Sequence, residues 1–288
     1  MAPRAAIDVR ALRRRLLTWY DRHGRKDLPW QRSRDPYRIW VAEIMLQQTQ
    51  VSTVIPYYER FLKRFPDVRT LARARLDSVL HHWTGLGYYA RARNLKRAAE
   101  TIVNEYSGRF PRDIEAVAAL PGIGRSTAGA ILAFAFDQRQ PILDGNVKRV
   151  LTRLHAIGAP VAQRDTEKTL WELAERYTPK TRVADFTQAI MDLGATLCRT
   201  RKPDCPACPL QRDCAAHALG QAEKFPKRRA RTTLPVKKVA MLMIRDVRGH
   251  VLLTQRPPVG VWGGLWGFPE CAPDASATGH CRATLGLR

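Results

Sequence analysis

Over roughly its first two hundred residues the chain sets apolar side chains at helical spacing and never alternates them cleanly at period two. Val9, Leu12, Leu16 and Trp19 fall on one face, as do Ile39, Ile44 and Leu46, with Val51, Val54 and Ile55 following. That periodicity predicts helix after helix and argues against a sheet-based body. Between Asp67 and Glu105 the pattern stays helical, broken by the glycines of Thr84-Gly85-Leu86-Gly87. Further helices are predicted over Asp113–Ala119, Arg125–Phe136, Asp144–Ile157, Asp165–Tyr177 and Arg182–Leu197. Asp165 is expected as an N-cap, with Lys168 where a full capping box would place an acid.

The pattern changes after Cys214. Residues 221–235, QAEKFPKRRARTTLP, are basic and broken by proline, and they read as a linker. From 236 to 288 the chain turns strand-like at first. Lys238–Ile244 and Val251–Gln255 are predicted strands around an Arg248-Gly249-His250 turn, followed by a loop rich in Trp and Gly that ends at Pro269. No periodicity is evident beyond about Cys271. A hairpin and a loop cannot close a core, so a partial second domain is expected. No internal repeat is present.

Lysine and arginine number 49 against 26 acids, a formal charge of +23. Such a surface repels itself unless a polyanion neutralises it, and release of counterions from phosphates makes nucleic acid the natural partner. The longest apolar run, Ala128–Phe136, is too short to span a bilayer. The start of the chain has no signal core. The expectation is a soluble, intracellular, unsecreted monomer that works near the nucleoid and has no membrane partner. Thiols there stay reduced, so clustered cysteines argue for metal over disulfides.

Cys198, Cys205, Cys208 and Cys214 are spaced C-x6-C-x2-C-x5-C. Structural zinc usually pairs two close couples across a longer gap, and here only Cys205 and Cys208 form one. The spacing favours one cubane 4Fe–4S cluster, with a structural zinc knot as the alternative. Pro203, Pro206 and Pro209 stiffen the loop. Cys271 and Cys281 stand apart and are not expected to be ligands.

Leu120-Pro121-Gly122-Ile123-Gly124 joins two helical segments. Gly122 and Gly124 permit a tight turn, and the N–H groups opening the next helix can hold an anion such as a DNA phosphate. A glycine-rich junction may equally be only a turn; the charge of the chain favours the phosphate reading.

These features occur in order with the runs Glu43-Ile44-Met45-Leu46-Gln47-Gln48-Thr49-Gln50-Val51, Trp83-Thr84-Gly85-Leu86-Gly87-Tyr88-Tyr89-Ala90-Arg91-Ala92-Arg93 and Leu143-Asp144-Gly145-Asn146-Val147-Lys148-Arg149. Together they resemble the MutY-type adenine DNA glycosylases of the endonuclease III-like, helix-hairpin-helix superfamily. The resemblance spans about 8–215 and continues more weakly to Pro269. It implies a mainly α, two-lobed fold: a six-helix barrel over 28–137, and a cluster domain of 1–27 with 138–220. Beyond the linker, 236–288 would be a truncated Nudix-like α+β domain. The substrate would be double-stranded DNA carrying adenine opposite guanine or 8-oxoguanine, with the adenine flipped out of the stack.

Cleaving a purine glycosidic bond needs a proton on the leaving base and negative charge beside the oxocarbenium ion. Glu43 sits on an otherwise apolar face, where burial would raise its pKa and suit it to protonate the base and then activate water. Asp144 stands at a helix start, where backbone donors and the dipole would keep it ionised. The two must meet across one cleft. In the resembling family the matching residues have these roles, with Asn146 supporting by hydrogen bonding. From the residues alone Asp144 could be only an N-cap, and Glu43 a solvated or ion-paired helix residue.

A glycosylase that also cuts the strand uses a lysine amine just after the hairpin. Ser126 stands at that position, so the resemblance implies a monofunctional enzyme; Lys148 is the nearest spare amine. Gln47 and Gln48 could read base edges, Leu46 and Tyr88 could wedge into the duplex, and Trp30 could stack near adenine. Each of these reads equally as ordinary packing. The arginines of 91–97 and 199–202 are expected phosphate contacts or solvated charge. No acidic Nudix helix is present, so pyrophosphate hydrolysis is not expected. A thymine-mismatch glycosylase of the same fold and a non-enzymatic DNA-binding module are the rival readings.

Overall fold

The computed structural model describes residues 7–227, 235–257 and 260–287. Contacts divide the chain into two units, one of residues up to 87 with 91–229, the other of 88–90 with 230 onward.

The first unit is helical throughout. Its helices are α1 (Val9–His23), α2 (Pro36–Leu46), α3 (Val51–Arg64), α4 (Val68–Arg73), α5 (Leu76–Trp83), α6 (Ala90–Glu105, from Arg91 on), α7 (Ile114–Ala119), α8 (Arg125–Phe136), α9 (Gly145–Leu154), α10 (Arg164–Tyr177), α11 (Val183–Thr196) and α12 (Ala215–Ala218). Several begin on aspartate caps. Asp8, Asp35, Asp67, Asp113 and Asp144 each accept a hydrogen bond from an N–H of the first turn. The expected cap at Asp165 is corrected. α10 starts one residue earlier with Gln163 as N-cap, and Asp165 lies in the first turn, where its charge favours the helix dipole.

Two sets of buried side chains organise this unit. Trp40 and Met45 of α2, Phe61 of α3, Phe65, Trp83, Leu95 and Ile102 are fully buried, with Phe61 edge-on to Trp83 at 6.0 Å. A second cluster joins Leu12, Leu16 and Tyr20 of α1 to Val147, Val150 and Leu151 of α9, Leu170 of α10 and Phe186 and Leu193 of α11. α8 packs on both α2 and α11. Its Gly129 lies so near the following chain that a Cβ would stand 2.7 Å from the Pro141 carbonyl oxygen.

The second unit pairs short antiparallel strands: β1 (Ala240–Met241) with β4 (Glu270–Cys271), and β2 (Thr254–Gln255) with β3 (Trp266–Gly267). The predicted hairpin survives as the Arg245–Val251 bridge and the Leu252 N–H donating to the Ile244 carbonyl at 3.0 Å. The expected long strands are corrected to these two-residue pairs, and the Trp-rich loop supplies their partners. The stretch after Cys271 is corrected as well: Ala277–Leu285 forms α13, capped by Ser276. Its apolar residues are too few to show a period, and none of its side chains is buried. Of the expected linker, residues 228–234 lie outside the described residues. Among the described residues no helix is long and apolar enough to cross a membrane.

Candidate active site

Glu43 lies in the middle of α2 between buried neighbours and lines a cavity of about 400 Å³. Trp30, Tyr20 near the end of α1, Phe134 of α8 and Gln188 of α11 line the same cavity, and Trp30 packs edge-on to Tyr58 at 5.5 Å. Burial, and secondly the charge of Asp144, push the Glu43 carboxyl up to about 8. The two acids lie near enough for the charge of Asp144 to act on Glu43. Asp144 itself is not among the residues lining the cavity.

Asp144 caps α9. Its Oδ1 accepts from the Val147 N–H at 2.7 Å and its Oδ2 from the Asn146 amide at 3.3 Å. The expectation that these donors would hold it low is corrected. Burial raises its pKa against the pull of Val147, Asn146 and Arg149. Asp144 has hydrogen-bond donors that Glu43 lacks among the described residues, and its charge adds to burial in lifting Glu43. Of the pair, Asp144 ionises first and Glu43 keeps its proton to higher pH.

Asn146 is itself held. Arg149 donates to its Oδ1 at 2.7 Å, to the Gly194 carbonyl at 2.7 Å and, through Nε, to the Cys198 carbonyl at 2.7 Å. Gly194 permits the approach, since a Cβ there would stand 2.6 Å from the Asn146 Cβ.

The hairpin runs as read, from α7 through Gly122 to α8. Gly122 has φ +79, and a Cβ on it would meet the Asn94 Cβ at 2.8 Å, so both backbone and space require glycine. Gly124 is the N-cap of α8 and supplies no side chain to its first N–H groups. Ser126 faces inward: its Oγ accepts from the Leu143 N–H at 2.9 Å. Lys148 pairs with Glu167 at 2.6 Å.

Leu46 ends α2, half-buried, with Gln47 as its C-cap and exposed Gln48 at φ +59. The Gln47 amide reaches the Gly122 carbonyl and Thr127 at 3.5 Å. Tyr88 falls with the other unit; its ring is 61% exposed and its φ is +50. One expected phosphate contact, Arg91, is corrected, and its neighbour Lys96 is likewise turned inward. Arg91 is buried and donates to the carbonyls of Ile44, Met45 and Gln47, and Lys96 is buried against the Ala72 carbonyl and Glu100.

Cys198, Cys205, Cys208 and Cys214 line one small cavity, walled also by Arg153 and His217. Among the described residues no three His, Cys, Asp or Glu side chains gather closely enough to hold a single metal ion. Four thiols ringing a void suit a larger inorganic centre better than a zinc ion. Arg153 is 2% exposed and donates to the Cys198 sulfur at 3.3 Å. Burial raises the thiols of Cys205, Cys208 and Cys214. In the bare protein they are thiols, and a cationic centre would deprotonate them. The donor set fits an iron–sulfur cluster. Cys271 and Cys281 lie in the other unit.

Sequence reasoning missed Gln188, Asp192 and Arg149. Asp192 is buried and held by Arg25 through its backbone N–H at 2.8 Å and its Nε at 2.9 Å. A carboxylate only accepts, so the Gln188 amide turns its nitrogen to Asp192 at 2.9 Å and leaves its oxygen for the cavity. A polar residue on an apolar helix face was the available signal for both.

Residues 41–176 match the family described as HhH-GPD superfamily base excision DNA repair protein, and 240–288 match the NUDIX domain. The helix-hairpin-helix body with its two acids thus defines a base excision repair protein of that superfamily. Within it, the adenine DNA glycosylase of Buchnera aphidicola subsp. Acyrthosiphon pisum is 42% identical over 255 residues, covering 88% of this chain and 73% of the relative. The human adenine DNA glycosylase is 36% identical over 335 residues, covering 98% and 61%. The chain belongs to the adenine DNA glycosylase family. Among solved structures, a thermostable thymine-DNA glycosylase superposes with a TM-score of 0.67 at 31% identity, over 73% of this chain and 97% of that one. An endonuclease III–DNA complex shares the fold, with a TM-score of 0.62 at 23% identity, over 74% and 96%.

Proposed function

We propose that this chain is a monofunctional adenine DNA glycosylase, hydrolysing the N-glycosidic bond of adenine mispaired with guanine or 8-oxoguanine in duplex DNA. The observation that carries the proposal is Glu43: a carboxyl that lines a cavity of about 400 Å³ and is raised to about 8 by burial and by the charge of Asp144. At neutral pH Glu43 holds a proton it can give to a ring nitrogen of the extruded base. The bond from base to C1′ then breaks, its electron pair leaving with the adenine. The Asp144 carboxylate stabilises the cation left on the sugar. Water adds at C1′, and its proton returns to Glu43. Asn146 holds Asp144. Trp30 packs against the base within the cavity.

Gly122, Gly124 and the first turn of α8 would take a DNA phosphate. Lys148 would exchange Glu167 for a second one. Gln47 and Gln48 would meet base edges, and Leu46 and Tyr88 would fill the gap in the stack. Cys198, Cys205, Cys208 and Cys214 would hold one 4Fe–4S cluster, and Arg149 and Arg153 of α9 bond the carbonyl and the sulfur of Cys198. The barrel of 28–137 and the cluster domain of 1–27 with 138–220 belong to the same proposal, as do the Nudix-like 236–288 and a monomeric, intracellular protein.

Ser126 offers no amine, which supports hydrolysis without strand cleavage. A base-release assay on A:G, A:8-oxoguanine and T:G duplexes tests the proposal. Adenine should be freed from the first two and no thymine from the third. Thymine release alone would assign the chain to the thymine-mismatch class. Efficient trapping of a covalent complex by borohydride would overturn the monofunctional reading.

A further inference from the structure

The main chain entering Asp144 is fixed from one side of α8. Ser126 accepts from the Leu143 N–H at 2.9 Å, and Leu143 is 4% exposed, so no solvent replaces that acceptor. One turn along the same face, Gly129 lets the Pro141 carbonyl lie where a Cβ would be 2.7 Å away. These two contacts hold residues 141–143. The other restraints on Asp144 come after it: Val147 N–H, and Asn146 under Arg149. Among the described residues, Ser126 supplies the hydrogen bond to the main chain of 141–143 before it. Ser126 also stands two residues beyond Gly124, in the turn of α8 that opens from the hairpin.

We infer that Ser126 is a positioning residue for glycosidic cleavage, its hydroxyl setting the backbone at Leu143 and thereby seating the Asp144 carboxylate relative to the start of α8. The inference rests on the role proposed above for Asp144. It gives the hydroxyl oxygen an internal donor, the Leu143 N–H, in place of a DNA contact. It also couples capture of a phosphate at the hairpin to the placement of the acid. The charged groups acting on Asp144 are Glu43 from α2 and Arg149 from its own helix. If the segment relaxes, the hydrogen bonds from Val147 and Asn146 lengthen, and Asp144 loses what opposes its rise.

The test compares Ser126→Ala and Ser126→Thr in the full chain on a duplex with one A:G pair, measuring single-turnover rate against pH and duplex Kd. Ser126→Ala should lose about ten- to a hundred-fold in rate, the scale of a small misplacement of a reacting group. Its Kd should hold within about two-fold, and the acidic limb of its pH profile should move to higher pH. Ser126→Thr, which keeps an acceptor, should restore rate and limb. An unchanged rate, a parallel loss of Kd, or a rate loss without a shifted limb would each overturn the inference. Asp144→Asn separates the two levels. If it leaves the rate intact, the site reading fails. If it abolishes the rate while Ser126→Ala does not lower it, only the Ser126 inference fails.

Discussion

The Arg149 guanidinium spans Asn146 and Cys198, donating at 2.7 Å to the side-chain oxygen of the one and at 2.7 Å to the carbonyl of the other. One planar group thus joins the cap of α9 to the head of the cysteine loop. Arg149→Ala would strand buried acceptors at a cost of about 1–3 kcal/mol each. Adenine release should fall at least about ten-fold with duplex affinity retained, and Tm should drop. Arg149→Lys should not rescue, because a single ammonium cannot serve acceptors arranged for a fork. Single-turnover kinetics with thermal melts measure both.

Glu43 gives a pH prediction with a definite sign. The reaction needs it protonated, so the rate should decline as pH rises through about 8, and Glu43→Gln should cost about 100- to 10,000-fold. Stability follows separately. Between its ordinary value and about 8 the folded state binds the proton that the unfolded state has lost, so stability falls as pH rises across that window. Glu43→Gln removes the penalty. It should raise Tm above pH 8 by about 2–4 °C for each kcal/mol recovered, and change it little at pH 4. Melting curves of both proteins across pH decide the matter.

Gly194→Ala should act at a distance through packing alone. Its new methyl would fall 2.6 Å from the Asn146 Cβ, on the backbone of α11 where no flexible side chain can yield. Overpacking of this kind costs about 1–3 kcal/mol. The expected result is a lower urea midpoint together with a reduced cleavage rate, while binding to undamaged duplex stays as it was.

Cys208→Ser tests the cysteine loop. Cys208 is the thiol that burial raises most among those lining the small cavity, up to about 12. The substituted protein should retain less iron per chain by elemental analysis, lose the visible absorption of an iron–sulfur centre and melt earlier. Full iron content in the variant would remove Cys208 from the ligand set.

Much of the helical body was legible because its signals are local. The hairpin glycines, α8 at Arg125–Phe136 and the Asp144 cap each follow from a few adjacent residues. What stayed hidden depends on contacts remote in sequence. Arg91 reads as a phosphate-seeking cation until Ile44, Met45 and Gln47 are seen to turn their carbonyls toward it. The Ser126–Leu143 bond joins residues seventeen apart, and the inward turn of Gln188 depends on Asp192, itself fixed by Arg25. In the second unit two-residue strands and an exposed helix carry too little burial to print a period on the sequence.

The carbonyls gathered by Arg91 close α2 just past Glu43, and the same guanidinium reaches Thr49 and the Leu86–Gly87 turn. One buried side chain therefore ties the end of the helix that carries Glu43, and the Gln47–Thr49 loop after it, to the Leu86–Gly87 turn. Under the proposed function, a segment so braced would leave distortion on encounter to the nucleic acid, and strands already weakened by a mispair would yield most cheaply.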